Sequence, residues 1–320
     1  MSQKTATEVS TSTLIEFVKY QGLGNDFILV NNPHSTTEPF LFSREESKKL
    51  CDRNFGIGAD GLLFICPGTH GCDYTMRMYN ADGSEPQMCG NAIRCMARYI
   101  YTELRHGEDP IDTKYRIWTL AGEICPVIQA EGRIQVDMGP ATLEARLVPT
   151  LIASNAVTEA GANAVVNCVF SISVPNASSG AATGASEVTV RVTAVSMGNP
   201  HAVVFVDDLL HMAPAFDVLG PLLEAHRAFP ERVNVEFVQV VDSRSLLMKV
   251  WERGVGATLA CGTGACAAVV AAVLVGRCPA DADITVALPG GDLVVKWDKS
   301  ANKVYKTGPA EAVFSGMLRR

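Results

Sequence analysis

Two short stretches of the chain echo each other: Cys89-Gly90-Asn91-Ala92-Ile93-Arg94-Cys95 and Cys261-Gly262-Thr263-Gly264-Ala265-Cys266. Each opens on a Cys-Gly-polar triplet and runs into an Ala-rich, apolar segment that reads as a helix. Loop chemistry precedes both, Asn80-Ala81-Asp82-Gly83-Ser84-Glu85-Pro86 in one case and Glu252-Arg253-Gly254-Val255-Gly256 in the other. A thiol is thus expected at each helix N-terminus, where unpaired N–H groups and the positive dipole end favour a thiolate and bind anions. Two such sites in one chain would set two thiols on opposite faces of one small ligand bearing a carboxylate.

Other polar residues narrow the chemistry. Asparagine recurs near strand and loop ends, at Asn25, Asn80, Asn91, Asn199 and Asn234. Its uncharged donors and acceptor suit a zwitterionic amino acid. Arg253 supplies a forked cation for a carboxylate, and Glu252 beside it an acceptor for an ammonium group. No cofactor is expected. There is no Walker loop and no recognisable pyridoxal lysine, and neither Gly22-Leu23-Gly24 nor Gly56-Ile57-Gly58 completes a dinucleotide fingerprint. The ten cysteines include no Cys-x-x-Cys pair and the histidines do not cluster near them, so no metal site is expected. Most of these cysteines, Cys95 and Cys266 among them, read as small buried hydrophobes.

The elements that would position these groups alternate along the chain. Ile15–Gly22 and Asp26–Asn31 read as a hairpin. A capping box at Ser43-Arg44-Glu45-Glu46 opens a helix to about Asn54. Leu62–Cys66 and Tyr74–Tyr79 read as strands, Asn91–Arg105 as the first major helix, and Tyr115–Val127 and Arg133–Met138 as strands. After Gly139-Pro140 the Ala-, Ser- and Asn-rich stretch 153–186 reads as a surface insertion, partly disordered. Strands follow at Glu187–Val195 and His201–Val206, a short helix at Phe216–His226, and strands at Val233–Val241 and Ser245–Glu252. Ala265–Gly276 is the second major helix. A hairpin, Ile284–Leu288 and Asp292–Trp297, turns through Pro289-Gly290-Gly291, and Lys303–Phe314 is the closing strand.

Each half thus yields strands, a Cys-led helix and more strands. The expected fold class is α+β: two pseudo-symmetric domains of mixed and antiparallel strands, each wrapped around a central helix, with the active site in the cleft between them. The composition permits this, since 320 residues suffice for two domains and 48% hydrophobic against 19% charged residues supply the cores. A net charge of −7 gives no case for nucleic acid or an anionic membrane surface, and no apolar run reaches membrane-spanning length. The stretch 1–14 reads as a flexible N-terminus with neither signal nor transit character, and a cytoplasmic protein is expected.

The chain resembles the diaminopimelate epimerases from about residue 15 to the end. The resemblance is carried by Gly22-Leu23-Gly24-Asn25-Asp26-Phe27, Tyr79-Asn80-Ala81-Asp82-Gly83-Ser84, Met88-Cys89-Gly90-Asn91, Ser196-Met197-Gly198-Asn199-Pro200-His201, Arg232-Val233-Asn234, Glu252-Arg253-Gly254 and the Cys261 stretch, all in order. It implies a pyridoxal-independent epimerase of lysine biosynthesis that interconverts LL- and meso-diaminopimelate, and a homodimer. It also implies halves at 15–137 and 138–304, with a strand returning to the first at 305–320. By position, Cys89 and Cys261 match the acid/base pair, and Gly90, Asn91, Gly262 and Thr263 the helix starts that hold the reacting carboxylate. Asn25, Asn80, Asn199, Asn234, Glu252 and Arg253 match residues that hold the amino groups and distal carboxylate. His201 and Glu252 are candidate partners of the thiols. Gly61, Ala92 and Ala257 depart from the Gln, Gly and Glu common at those positions. The chemistry agrees, because inverting an amino acid's α-carbon needs a base on one face and an acid on the other, and two thiols can exchange those roles. The rival readings are a proline or hydroxyproline racemase of the same fold, an isomerase of this fold without thiols, and a non-catalytic amino-acid-binding protein.

Overall fold

The computed structural model describes residues 14–34, 41–175 and 185–319. The N-terminal stretch expected to be flexible lies outside these residues except for Leu14, which already pairs in the first strand. Strands β1 (Leu14–Gly22) and β2 (Asn25–Asn31) form the expected hairpin. Its two central residues, Leu23 and Gly24, have φ of 60° and 81°, as the twist of a two-residue hairpin turn demands. Helix α1 (Arg44–Cys51) starts from a complete capping box of Ser43 and Glu46 and crosses to β3 (Gly61–Pro67), parallel to β2. Then come β4 (Tyr74–Asn80), α2 (Gly90–Tyr99) prolonged by a wide turn over Ile100–Leu104, β5 (Ile117–Thr119) and β6 (Gly122–Ile124).

The remainder runs β7 (Val127–Ile128), β8 (Ile134–Asp137), β9 (Ala156–Val157), β10 (Asn163–Ala164), β11 (Cys168–Pro175), β12 (Ala185–Ser196), β13 (Pro200–Phe205), α3 (Ala213–Glu224), β14 (Asn234–Asp242), β15 (Ser245–Glu252), β16 (Gly256–Thr258), α4 (Gly262–Leu274), β17 (Ile284–Leu288), β18 (Gly291–Asp298), β19 (Lys303–Gly308) and β20 (Glu311–Arg319). Two large sheets result. The seven-stranded one has the order β20-β1-β2-β3-β4-β5-β6. The eleven-stranded one runs β11-β12-β13-β14-β15-β17-β18-β19-β8-β7, with β16 beside β15.

The two halves repeat one plan. In the first, an antiparallel pair β1–β2 leads through α1 to β3, parallel to β2. Antiparallel β4 then leads through α2 to β5, parallel to β4. In the second, β12–β13, α3, β14–β15, α4 and β17 repeat the same pairings in the same senses. The sheets wrap around α2 and α4. Residues Gly264 to Ala272 of α4 are all buried, as are Ala92 to Ala97 of α2. Helix α4 is apolar on every side, has no solvent face and has to be enclosed, and its small Ala and Val side chains let strands approach it from all around. Cys95 and Cys266 sit fully buried in these two helices. Among the described residues no helix is long and apolar enough to cross a membrane.

The structure departs from the sequence expectations in four places. The stretch expected as an irregular insertion at 153–186 contains β11, whose eight residues pair in register with β12, and the small β9–β10 hairpin; residues 176–184 lie outside the described ones. Tyr115–Val127 is not one strand, because Gly122, at φ 106°, turns β5 back as β6. The closing strand is two. Gly308 ends β19 in the second sheet, Pro309 carries no N–H to continue it, and the return to the first sheet begins at Glu311 rather than 305. Finally, β7 and β8, expected in the first half, hydrogen-bond into the second sheet beside β19 while Ile128, Ile134 and Val136 pack with the core around α2. They tie the two halves together.

Candidate active site

Both cysteines occupy the N-cap position with the same extended backbone, and only Cys261 also accepts a hydrogen bond there. Cys89 is the N-cap of α2 at φ −136°, ψ 119°, and Cys261 the N-cap of α4 at φ −121°, ψ 112°. An extended residue at this position aims its side chain across the helix start. The two thiols, both free, open on one cavity of about 470 Å³ between the halves, within the range of sites for small organic ligands. Gly90, Asn91, Gly262 and Thr263 line it, as do Asn25 and Glu252. Leu23, Met88, Met138 and Leu259 supply apolar wall.

On the Cys89 side, a chain of amides fixes the wall. Arg94 Nη1 donates to Asn91 Oδ1 at 2.8 Å, Asn91 Nδ2 to Asn25 Oδ1 at 3.1 Å, and Asn25 Nδ2 to Asp60 Oδ2 at 2.7 Å. Asp60 is in turn held by Arg53. The sequence reading had picked out Asn25 and Asn91 but not Asp60 or Arg94.

On the Cys261 side, the Sγ accepts from Gly264 N at 3.4 Å and lies 3.5 Å from Thr263 Oγ1. Thr263 Oγ1 accepts from Asn199 Nδ2 at 3.3 Å. Asn199 Oδ1 meets His201 Nε2 at 3.0 Å, and His201 Nδ1 meets Glu236 Oε1 at 2.7 Å, both residues fully buried. His201 therefore reaches the thiol only through Asn199 and Thr263. Glu252 is the carboxylate in direct contact with Cys261, and burial raises its pKa. Burial first, then the charges of Glu252 and Glu236, push the Cys261 thiol up to about 12, against the smaller pull of the Thr263 and Gly264 hydrogen bonds. The helix start alone would have favoured a thiolate. Here desolvation and two carboxylates outweigh it, and Cys261 rests as a thiol.

Four of the expected binding residues stand off the cavity wall. Asn80, the last residue of β4, donates to Ser84 Oγ. Asn199 acts on Thr263, as above. Asn234 is buried with both ends engaged: its Nδ2 donates to Pro200 O, and its Oδ1 accepts from Arg253 N. The Arg253 guanidinium donates to Glu231 O. The repeat nevertheless aligns them: Asn25 opens β2 as Asn199 precedes β13, and Asn80 ends β4 as Glu252 ends β15. Gly61, Ala92 and Ala257 do not line the cavity either. A Cβ on Gly61 would come 2.8 Å from Tyr79 O, Ala92 is buried in the α2 core, and Ala257 is exposed on β16. Besides Asp60, the cavity holds a second charged residue with no sequence-based expectation: Lys306, on the inward face of β19. Its signal was a lysine in register with buried Val304 on an alternating strand.

Comparison with known proteins places these features in a family. The family model described as diaminopimelate epimerase matches residues 17–144 and 193–313. The diaminopimelate epimerase of Rippkaea orientalis is 50% identical over 303 residues, 95% of this chain and 98% of that protein. That of Synechocystis sp. is 51% identical over 302 residues, 94% and 98% of the two chains. Among solved structures, a PhzF-family phenazine biosynthesis protein of Bacillus anthracis aligns with TM-score 0.63 at 14% identity, over 96% of this chain and 99% of that one. A hydroxyproline epimerase of Agrobacterium vitis aligns with TM-score 0.60 at 14% identity, over 96% and 92%. At such identities these structures share the fold.

Proposed function

We propose that this chain, which belongs to the diaminopimelate epimerase family, interconverts LL- and meso-diaminopimelate by passing the α-proton between Cys89 and Cys261. The observation that carries this reading is the matched pair of extended cysteine N-caps, one from each half, opening on the same cavity.

In the resting cavity Cys261 is held protonated and serves as the acid, and Cys89 is the base on the opposite face of the α-carbon. As the C–H bond breaks, the proton goes to Cys89. The electron pair spreads onto the adjoining carboxylate, and Cys261 returns a proton to the other face. The roles then stand exchanged for the reverse reaction. The growing carboxylate charge falls to the helix-start N–H groups at Gly90, Asn91, Gly262 and Thr263, fixed in place before the reaction begins. Glu252 and Asn25 sit where they can take an ammonium group. Asn80, Asn199, Asn234 and Arg253 frame the cleft outside its present wall, and closure of the halves is the step that would bring Arg253 to the distal carboxylate and exclude water. The reaction needs no metal or organic cofactor. As the resemblance implies, the enzyme works as a homodimer in the cytoplasm.

The test is solvent exchange. Chelator-treated, reduced protein in D₂O is expected to convert LL-diaminopimelate to the meso isomer with deuterium at the inverted Cα, and to leave L-proline untouched. Exchange with proline alone would move the activity to the racemases of this fold. Exchange with neither would promote a binding role.

A further inference from the structure

A cation that none of the roles above employs lies at the floor of the cavity. Lys306 is 1% exposed, yet it lines the cavity wall. Its ammonium fills the notch where α2 and α4 begin. A Cβ on Gly90 would come 2.8 Å from Nζ, and one on Gly262 would overlap it. Both first helical residues are glycine, and the space left by their missing side chains is what the ammonium occupies.

The surroundings are short of negative charge. The groups that act most strongly on Lys306 are Arg94 from α2 and the thiols of Cys89, Cys261 and Cys266, while the carboxylates of Asp60 and Glu252 line the same cavity without a hydrogen bond to it. Among the described residues no hydrogen bond engages the Lys306 Nζ. Arg94 is itself fully buried, with Nη2 unbonded. Two cationic side chains and two positive helix ends therefore converge on one spot where the only anion the mechanism supplies is the Cys89 thiolate. Burial, and then Arg94, pull the Lys306 ammonium down to about 8. An uncompensated charge of this kind is costly to keep, and the open side of the notch is the cavity.

We propose that Lys306 is a substrate-binding residue, whose ammonium pairs with the carboxylate on the reacting carbon between the two helix starts. This rests on the epimerase reading above and assigns that site a full positive charge besides its backbone N–H groups. The ammonium forms no covalent bond and surrenders no proton. It matters more as the reaction proceeds, because the electron pair from the broken C–H bond adds to the charge on the carboxylate it faces. The ammonium therefore bears on kcat as well as KM.

The experiment compares wild type with Lys306→Met, which keeps the length of the side chain and drops its charge. Lys306→Gln is the second variant should methionine disturb the packing, and circular dichroism checks the fold of both. Epimerisation of LL-diaminopimelate is followed by deuterium incorporation across pH. Removing a buried charge partner of the ligand is expected to lower kcat/KM on the order of ten- to a hundredfold, with part of the loss in kcat. It should also remove any decline of kcat/KM that wild type shows as the ammonium loses its proton. Wild-type turnover with both folded variants unchanged in KM, kcat and pH profile overturns the Lys306 assignment alone. No exchange by wild type overturns the epimerase reading, and this assignment with it.

Discussion

At the scale of single residues, the site is a contest between helix ends and burial. Both cysteines stand at helix N-termini, but Cys261 is also enclosed and faced by Glu252 and Glu236, and these hold it protonated. Replacing either thiol should remove the proton carrier of one face. Cys89→Ala and Cys261→Ala are each expected to lose at least ~10²-fold of epimerisation with an unchanged circular dichroism spectrum, the range typical of a lost general acid or base; near-wild-type turnover in either would count against the mechanism. Lys306 gives a second prediction. Its folded pKa, about 8, lies below its ordinary 10.5. The unliganded protein therefore bears the full cost of the buried ammonium below pH 8, and that cost fades as pH rises towards 10.5. Lys306→Met should accordingly raise stability to urea at neutral pH, by about 3 kcal/mol at most. The gain should shrink in alkali, and a gain that grows with pH would contradict the sign. The thiols and their flanks were legible in the sequence because Cys-Gly-polar recurs ahead of two Ala-rich helices. Asp60, Glu236 and Lys306 were not, since each acts through neighbours distant in the sequence or through burial that only the fold creates: Lys306 meets Gly90 and Gly262, and Asp60 meets Asn25.

At the scale of elements, turns set the register of the two halves as much as helices do. The β1–β2 turn carries Leu23 at positive φ, an unusual conformation for a branched side chain, and that side chain is buried in the core around α4. Opposite it, Gly290 in the β17–β18 turn passes so close that a Cβ would collide with Leu23 O. The two turns thus dock backbone to backbone across the cleft. Gly290→Ala is expected to force them apart at a cost of about 1–3 kcal/mol, measured by denaturant unfolding. No loss would mean that the turns are not in contact in solution. The hairpins and both central helices were readable from alternation and from the Ala-Val runs. The strand β11 was not read as such, because Ser-, Ala- and Asn-rich flanks masked the alternation of Phe170, Ile172 and Val174 that seats it beside β12. Likewise Gly122 and Pro309, single residues in otherwise apolar runs, decided where strands broke.

At the scale of the whole molecule, duplication supplies the chemistry. One plan of strands and crossovers, used twice, delivers two helix starts and two cysteines to the same cleft. The strands β7 and β8, together with β19 leading into β20, pass between the halves, so that opening and closing would flex a shared hinge rather than two independent domains. Pseudo-symmetry suits a reaction whose forward and reverse directions differ only in which face gives the proton. The sequence disclosed the repeat through its two Cys-led helices but not the crossing strands, whose partners lie more than 160 residues away. In the proposed reaction two different groups serve the two faces. The most direct measurement is the position of solvent deuterium in the first turnovers of LL-diaminopimelate by the wild-type protein in D₂O. A two-thiol exchange predicts deuterium at the inverted α-carbon of the meso product while unreacted LL substrate keeps its protium. Deuterium appearing equally early in recovered LL substrate, or protium carried through into the product, would mean that a single group handles both faces and would contradict the account.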